Sequence, residues 1–136
     1  MALEKPEQIT LLNKVARGTR HSPGQMNKLE AKYAAWLEMR KLEGAIEWYA
    51  FEAITLKLAF DTRYTPDFVV MLLDGTLQFR EVKGYWEEDA KIKIKIAADK
   101  FPFIFIAVRC EKGQWSHELF SRGIEPGLVK MEVADA

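Results

Sequence analysis

A chain of 136 residues with 49% hydrophobic content can bury one good core and is too short for two domains of ordinary size, so a single domain over 1–136 is expected. Twenty basic and twenty acidic residues cancel to a formal net charge of zero, which excludes the uniformly basic surface of a generic nucleic-acid binder and leaves any such contact to local clusters. The lone Cys110 excludes an intrachain disulfide, no apolar run approaches the roughly 20 residues of a membrane span, and Met1-Ala-Leu-Glu-Lys-Pro lacks the form of a signal peptide, so a cytoplasmic chain without membrane contact is expected.

In chain order, residues 1–25 mix a short apolar patch (Ile9, Leu11, Leu12, Val15) with Gly18, His21, Ser22, Pro23 and Gly24. They read as a short element followed by a basic arm whose Lys14, Arg17 and Arg20 are placed to track phosphates; a poorly ordered terminus fits the same residues. No ligand role is expected of His21, or of His117, which sits far from every acidic motif. From Asn27 to Glu43, Leu29, Tyr33, Trp36, Leu37 and Arg40 recur at helical spacing, and Gly44 is a fitting stop. Asn27 and Glu30 form the pattern of a capping box, which explains the Glu30 carboxylate as a cap; Glu30 also borders the apolar face, from which it could project toward a sheet.

Ala45 to Phe60 is rich in β-branched and aromatic residues and reads as two strands, or as one strand bent near Glu52 and Ala53. Asp61-Thr-Arg-Tyr-Thr reads as a turn, Pro66 opens the next strand, and Phe68 to Leu73 is apolar on both faces, as in the middle of a covered sheet. Asp74-Gly75 predicts a hairpin, returning along Thr76 to Lys83, with opposed residue numbers summing to about 149; Asp67 then stands across from Val82 and diagonal to Glu81 and Lys83. On the returning strand Leu77, Phe79, Glu81 and Lys83 share a face that begins apolar and ends in two charges, so those charges need pairing, a metal or solvent. Gly84 ends the strand, and Tyr85-Trp86 offers two rings that stack on a base or sugar, or cover the core. Glu87 to Lys100 is read as a helix despite its Lys-Ile alternation, because its flanks are helical in character; Lys91 and Lys95 lie one turn apart on it. A buried strand over Phe103 to Val108, a short helix around Trp115 to Phe120 and a last strand near Leu128 to Val133 complete the reading.

An acidic residue on a helix, Pro66-Asp67 at a strand start and Glu81-Val82-Lys83 at a strand end together resemble the PD-(D/E)XK nuclease superfamily. The wider pattern of Asn27, Glu30, Tyr64-Thr-Pro-Asp-Phe, Glu81-Val-Lys-Gly-Tyr-Trp, Asp89 and Lys91 looks like its small phage-type endonucleases, over roughly Asn27 to Val108. The resemblance implies an α/β fold with a restriction-endonuclease-like core, a mixed central β-sheet flanked by helices. It implies that Asp67, Glu81 and the Val82 carbonyl bind Mg²⁺ or Mn²⁺, that Glu30 completes the shell, and that Lys83 orients or deprotonates the attacking water.

On that resemblance the activity expected is metal-dependent DNA endonuclease cleavage, with branched DNA as one candidate substrate. Arg63, Tyr85, Trp86, Lys91 and Lys95 join the basic arm as expected DNA contacts. The expected partners are DNA and a second copy of the chain as a homodimer, with no organic cofactor, in a phage or bacterial host cell. Two rivals stand beside it: a ribonuclease H-like set of Asp61, Asp67, Asp74 and Glu81, in which Lys83 has no role, and a catalytically silent nucleic-acid-binding module on the same fold.

Overall fold

Asn27 begins the first helix, α1 (Lys28–Leu42), through a reciprocal capping box. Its side chain accepts from the Glu30 backbone N–H at 2.7 Å, while Glu30 Oε1 accepts from the Asn27 N–H at 2.9 Å. Gly44, with φ 81°, supplies the left-handed residue that ends the helix. A computed structural model describes residues 24–129, so Lys14, Arg17, Arg20, His21 and the far end of the expected last strand lie outside the described residues.

The strands are β1 (Ile46–Phe51), β2 (Leu56–Ala59), β3 (Thr62–Tyr64), β4 (Phe68–Leu72), β5 (Leu77–Lys83), β6 (Ile104–Glu111), β7 (Gln114–Ser121) and β8 (Ile124–Val129). A 3₁₀ turn, Asp89–Lys91, leads into the second helix, α2 (Ile92–Lys100), in place of one helix from Glu87. Among the described residues six strands form one mixed sheet in the order β1-β4-β5-β6-β7-β8, and β2 pairs with β3 in a small sheet of its own. The β5–β6 pair is parallel and the other pairs in the large sheet are antiparallel. The parallel pair exists because α2 carries the chain back across the sheet between its two strands.

Alternation along the central strands then fills both faces. Phe68, Val70, Val82, Ile106 and Val108 pack with Tyr33 and Leu37 of α1 on one side. Val69, Phe79, Phe105 and Ala107 pack with Ile94, Ala97 and Ala98 of α2 on the other. Each fully buried large side chain here stabilises by roughly 1.5–3 kcal/mol, which is what fixes the register and so the positions of the polar residues at the strand ends.

Three local expectations change. The segment Asp61 to Thr65 is not a simple turn, because Thr62–Tyr64 pairs with Leu56–Ala59 around Phe60-Asp61. Trp115 to Phe120 is part of a strand rather than a helix: Lys112 and Gly113, with φ 52° and 78°, turn the chain back so that β7 pairs along β6. The hairpin register is one residue off the expected one. Opposed numbers sum to 148, since Phe68 faces Arg80 and Met71 faces Leu77. The turn has three residues, Leu73-Asp74-Gly75, closed by Leu72 N–H on Thr76 O at 2.8 Å with Gly75 at φ 88°.

Candidate functional site

In an extended strand the N–H and C=O of one residue face the same edge, and alternate residues face alternate edges. Arg80 opposes Phe68, so two residues on Val82 would oppose Pro66. Proline has no N–H to give the Val82 carbonyl. The Val82 N–H in turn donates not to the Pro66 carbonyl but to Asp67 Oδ2, at 2.8 Å. Asp67 is held from its other side as well, its own carbonyl accepting from the Glu52 N–H at 2.7 Å where β1 ends in a left-handed residue. The same parity turns the Val82 carbonyl toward the Asp67 edge, and the 148 register sets Asp67 across from Glu81 rather than from Val82.

Glu81 and Lys83 follow on β5. Glu81 Oε1 accepts from the Tyr64 hydroxyl at 3.3 Å, and its Oε2 lies 3.8 Å from Lys83 Nζ. Lys83 is about a third exposed and its ammonium also stands 5.8 Å from the centre of the Trp86 ring. These groups border a cleft of about 700 Å³ between the N-terminus of α1, the end of β5 and the approach to α2. Its carboxylates are Glu30, Asp67, Glu81, Glu87 and Asp89. Its cations are Arg63, Lys83 and Lys93.

Of the four expected catalytic residues, Glu30, Asp67, Glu81 and Lys83, all line this cleft. Glu30 does so as the N3 residue of the capping box, with Oε1 committed to the Asn27 N–H. Of the ribonuclease H-like set, Asp61 and Asp74 are absent from the lining; Asp74 is a turn residue whose carboxylate accepts from the Thr76 N–H, which lowers its pKa.

The expected DNA contacts separate in the same way. Arg63 and Tyr85 line the cleft, and the Tyr85 ring is largely exposed. Trp86 instead donates its indole N–H to the Val108 carbonyl at 3.0 Å and packs against the α2 side of the core. Lys91 is bound to Glu118 at 2.7 Å, and Lys95 lines a second, smaller recess beside Arg122. The cleft also holds charged or polar residues given no site role above: Tyr64, which stands in the quoted Tyr64-Thr-Pro-Asp-Phe pattern, and Glu87 and Lys93, which flank Asp89.

A second polar group is sealed in the core on the α1 side. Arg80, 1% exposed, donates to Gln78 Oε1 and to the Tyr33 hydroxyl at 2.9 Å, and that hydroxyl lies 2.9 Å from His117 Nε2. Burial, with the Arg80 and Arg40 guanidinium charges, pushes the His117 pKa down to about 3. Its ring is therefore neutral, and its Nε2 shares a hydrogen bond, in a direction set by the tautomer, with a hydroxyl that itself accepts from Arg80.

As a metal site, Asp67, Glu81 and the Val82 carbonyl are hard oxygen donors of the type that suits Mg²⁺ or Mn²⁺. All three residues line the cleft, and among the described residues no three His, Cys, Asp or Glu side chains are grouped to hold a metal ion. No family model matches the chain, and no curated protein or solved structure matches it either.

Proposed function

We propose that this chain is a divalent-metal-dependent nuclease of PD-(D/E)XK type, with a restriction-endonuclease-like core, that hydrolyses phosphodiester bonds in DNA. The observation that carries the reading is the Asp67 carboxylate seated on the Val82 N–H, with Glu81 and Lys83 beside it at one end of a cleft. Five lining carboxylates outnumber three lining cations, so a phosphate meets a net negative wall unless a cation stands between them.

Asp67, Glu81 and the Val82 carbonyl would hold that cation, which when bound neutralises phosphate charge and acidifies a water. The protein's own part is positional. The main chain fixes Asp67 from both sides, so its free-energy cost of ordering falls on folding and not on substrate binding. Lys83 Nζ, one residue past Val82, offers hydrogen bonds to a phosphate oxygen as negative charge develops there. Arg63 and Lys93 hold the flanking backbone at the cleft mouth, and the exposed Tyr85 ring offers a base a stacking surface.

The silent binding module keeps one observation in its favour: the three acidic residues of the motif are not grouped around a common point. Incubation with Mg²⁺ or Mn²⁺ and matched single-stranded, duplex, flap and four-way DNA, with RNA alongside, separates the two readings. Metal-dependent cleavage lost on chelation is the result expected. DNA binding without cleavage under any metal overturns the nuclease.

A further inference from the structure

The β2–β3 hairpin stands outside the main sheet, yet it is anchored beside the cleft. Lys100 Nζ of α2 donates to the Leu58 carbonyl at 2.9 Å, Lys93 Nζ to the Arg63 carbonyl at 3.2 Å, and the Thr55 and Thr65 hydroxyls meet at 2.6 Å. These bonds fix the strand that ends in Tyr64. The Tyr64 ring is 5% exposed and packs in the cluster of Leu56, Leu58 and Ile94, so its few torsions are set by packing. Its hydroxyl donates to Glu81 Oε1.

The Glu81 side chain has three torsions, and the long flexible Lys83 ammonium stands 3.8 Å from its Oε2. A bond from a locked phenol to one oxygen, with the ammonium near the other, favours one orientation of the carboxylate. At 3.3 Å the bond is longer than the roughly 2.5–3.0 Å usual for hydroxyl donors, so it biases that orientation without locking it.

We infer that Tyr64 is a positioning residue, whose hydroxyl presents the Glu81 carboxylate to a hard divalent cation and thereby sets the affinity of the cleft for it. The inference rests on the metal-dependent reading above. Hydrogen-bond partners of this kind behind a ligand typically change metal affinity or activity by about 10- to 100-fold.

Calorimetric titration of the wild type, Tyr64→Phe and Tyr64→Leu with Mn²⁺, alongside melting curves and cleavage at graded Mn²⁺, tests it. Tyr64→Phe keeps the buried ring, so it should melt close to the wild type while binding Mn²⁺ about 10-fold more weakly. Its half-maximal Mn²⁺ for cleavage should rise in step, with the rate at saturating Mn²⁺ retained. Tyr64→Leu should match that loss of affinity and melt lower. A Mn²⁺ isotherm for Tyr64→Phe that overlays the wild type overturns the positioning role and leaves the nuclease standing. A wild type that binds no Mn²⁺ overturns the metal-dependent reading itself, and this inference with it.

Discussion

The carboxylate of Asp67 takes the place of a strand acceptor, receiving the Val82 N–H at 2.8 Å where the ladder would use the Pro66 carbonyl. Proline and aspartate act there as one device. Pro66 opens a gap in the ladder between β4 and β5, and Asp67 fills half of it, leaving the Val82 carbonyl facing the same gap. An acidic side chain 3% exposed is thus stabilised by the backbone of the strand that carries Glu81 and Lys83.

Substitutions at Asp67 should therefore separate fold from chemistry. Asparagine keeps an oxygen for the Val82 N–H, so Asp67→Asn should melt near the wild type and lose Mn²⁺-dependent nicking. Asp67→Ala leaves that buried N–H without its acceptor and should cost about 1–3 kcal/mol in addition. Urea melts with a plasmid-nicking assay check both, and wild-type nicking by Asp67→Asn in Mg²⁺ would remove Asp67 from the chemistry.

At Lys83 the expectation is reversed in kind. Its pair with Glu81 is partly exposed, so losing it should change stability by no more than about 1 kcal/mol. Loss of a positioned donor or proton-transfer group typically costs about 10²- to 10⁴-fold in rate. Lys83→Met should accordingly keep the Mn²⁺ isotherm and the melting curve but cleave at least 10²-fold more slowly; a rate within a few-fold of the wild type contradicts the role given to Nζ.

How much of this the sequence reveals depends on whether the side-chain pattern or the backbone decides. The α1 cap, the β4–β5 hairpin and the two-faced central strands follow from residue types alone, because Asn27, Gly75 and the run from Phe68 carry their own physical instructions. The hairpin register differs from the expected one by a residue because Asp74-Gly75 has the residue types of a two-residue turn, whereas Gly75 closes a three-residue loop. Strand β7 was hidden for another reason. Its most buried residues, His117 and Phe120, are three apart, and the pairing with β8 slips between Leu119 and Ser121, so the period of two is masked by a bulge and by a buried histidine. The Tyr64–Glu81 bond depends on where a separate hairpin docks, which no local pattern states.

The neutral His117 gives the protein a pH dependence of known sign. Its ordinary pKa of 6.5 falls to about 3 in the folded state, because the ring is buried and faces the Arg80 and Arg40 charges. Between those values the unfolded chain takes up a proton that the folded chain refuses. Stability is therefore full above about 6.5 and is lost as pH falls toward 3, by up to about 1.4 kcal/mol per pH unit from this group. Urea midpoints measured from pH 7.5 to 5, above the range where most carboxylates titrate, should fall for the wild type. His117→Gln, which can still hydrogen-bond to Tyr33 as donor or acceptor, should flatten that fall; an unchanged slope would mean that His117 is not the group responsible.

Glu30 is where structure and proposed chemistry draw on the same carboxylate. Oε1 is used by the Asn27 N–H, and the residue still borders the cleft, so its charge adds to the field that attracts a cation. Glutamine serves equally well at this position of a capping box and removes the charge. Glu30→Gln should therefore keep the melting temperature while lowering Mn²⁺-dependent cleavage by about 10- to 100-fold, the range for groups that support a metal without being its main ligands. Glu30→Ala should lose about 1 kcal/mol of stability as well, since it abolishes the reciprocal cap. If Glu30→Gln cleaves as fast as the wild type at every Mn²⁺ concentration, Glu30 is a cap alone, and the active set contracts to Asp67, Glu81 and Lys83.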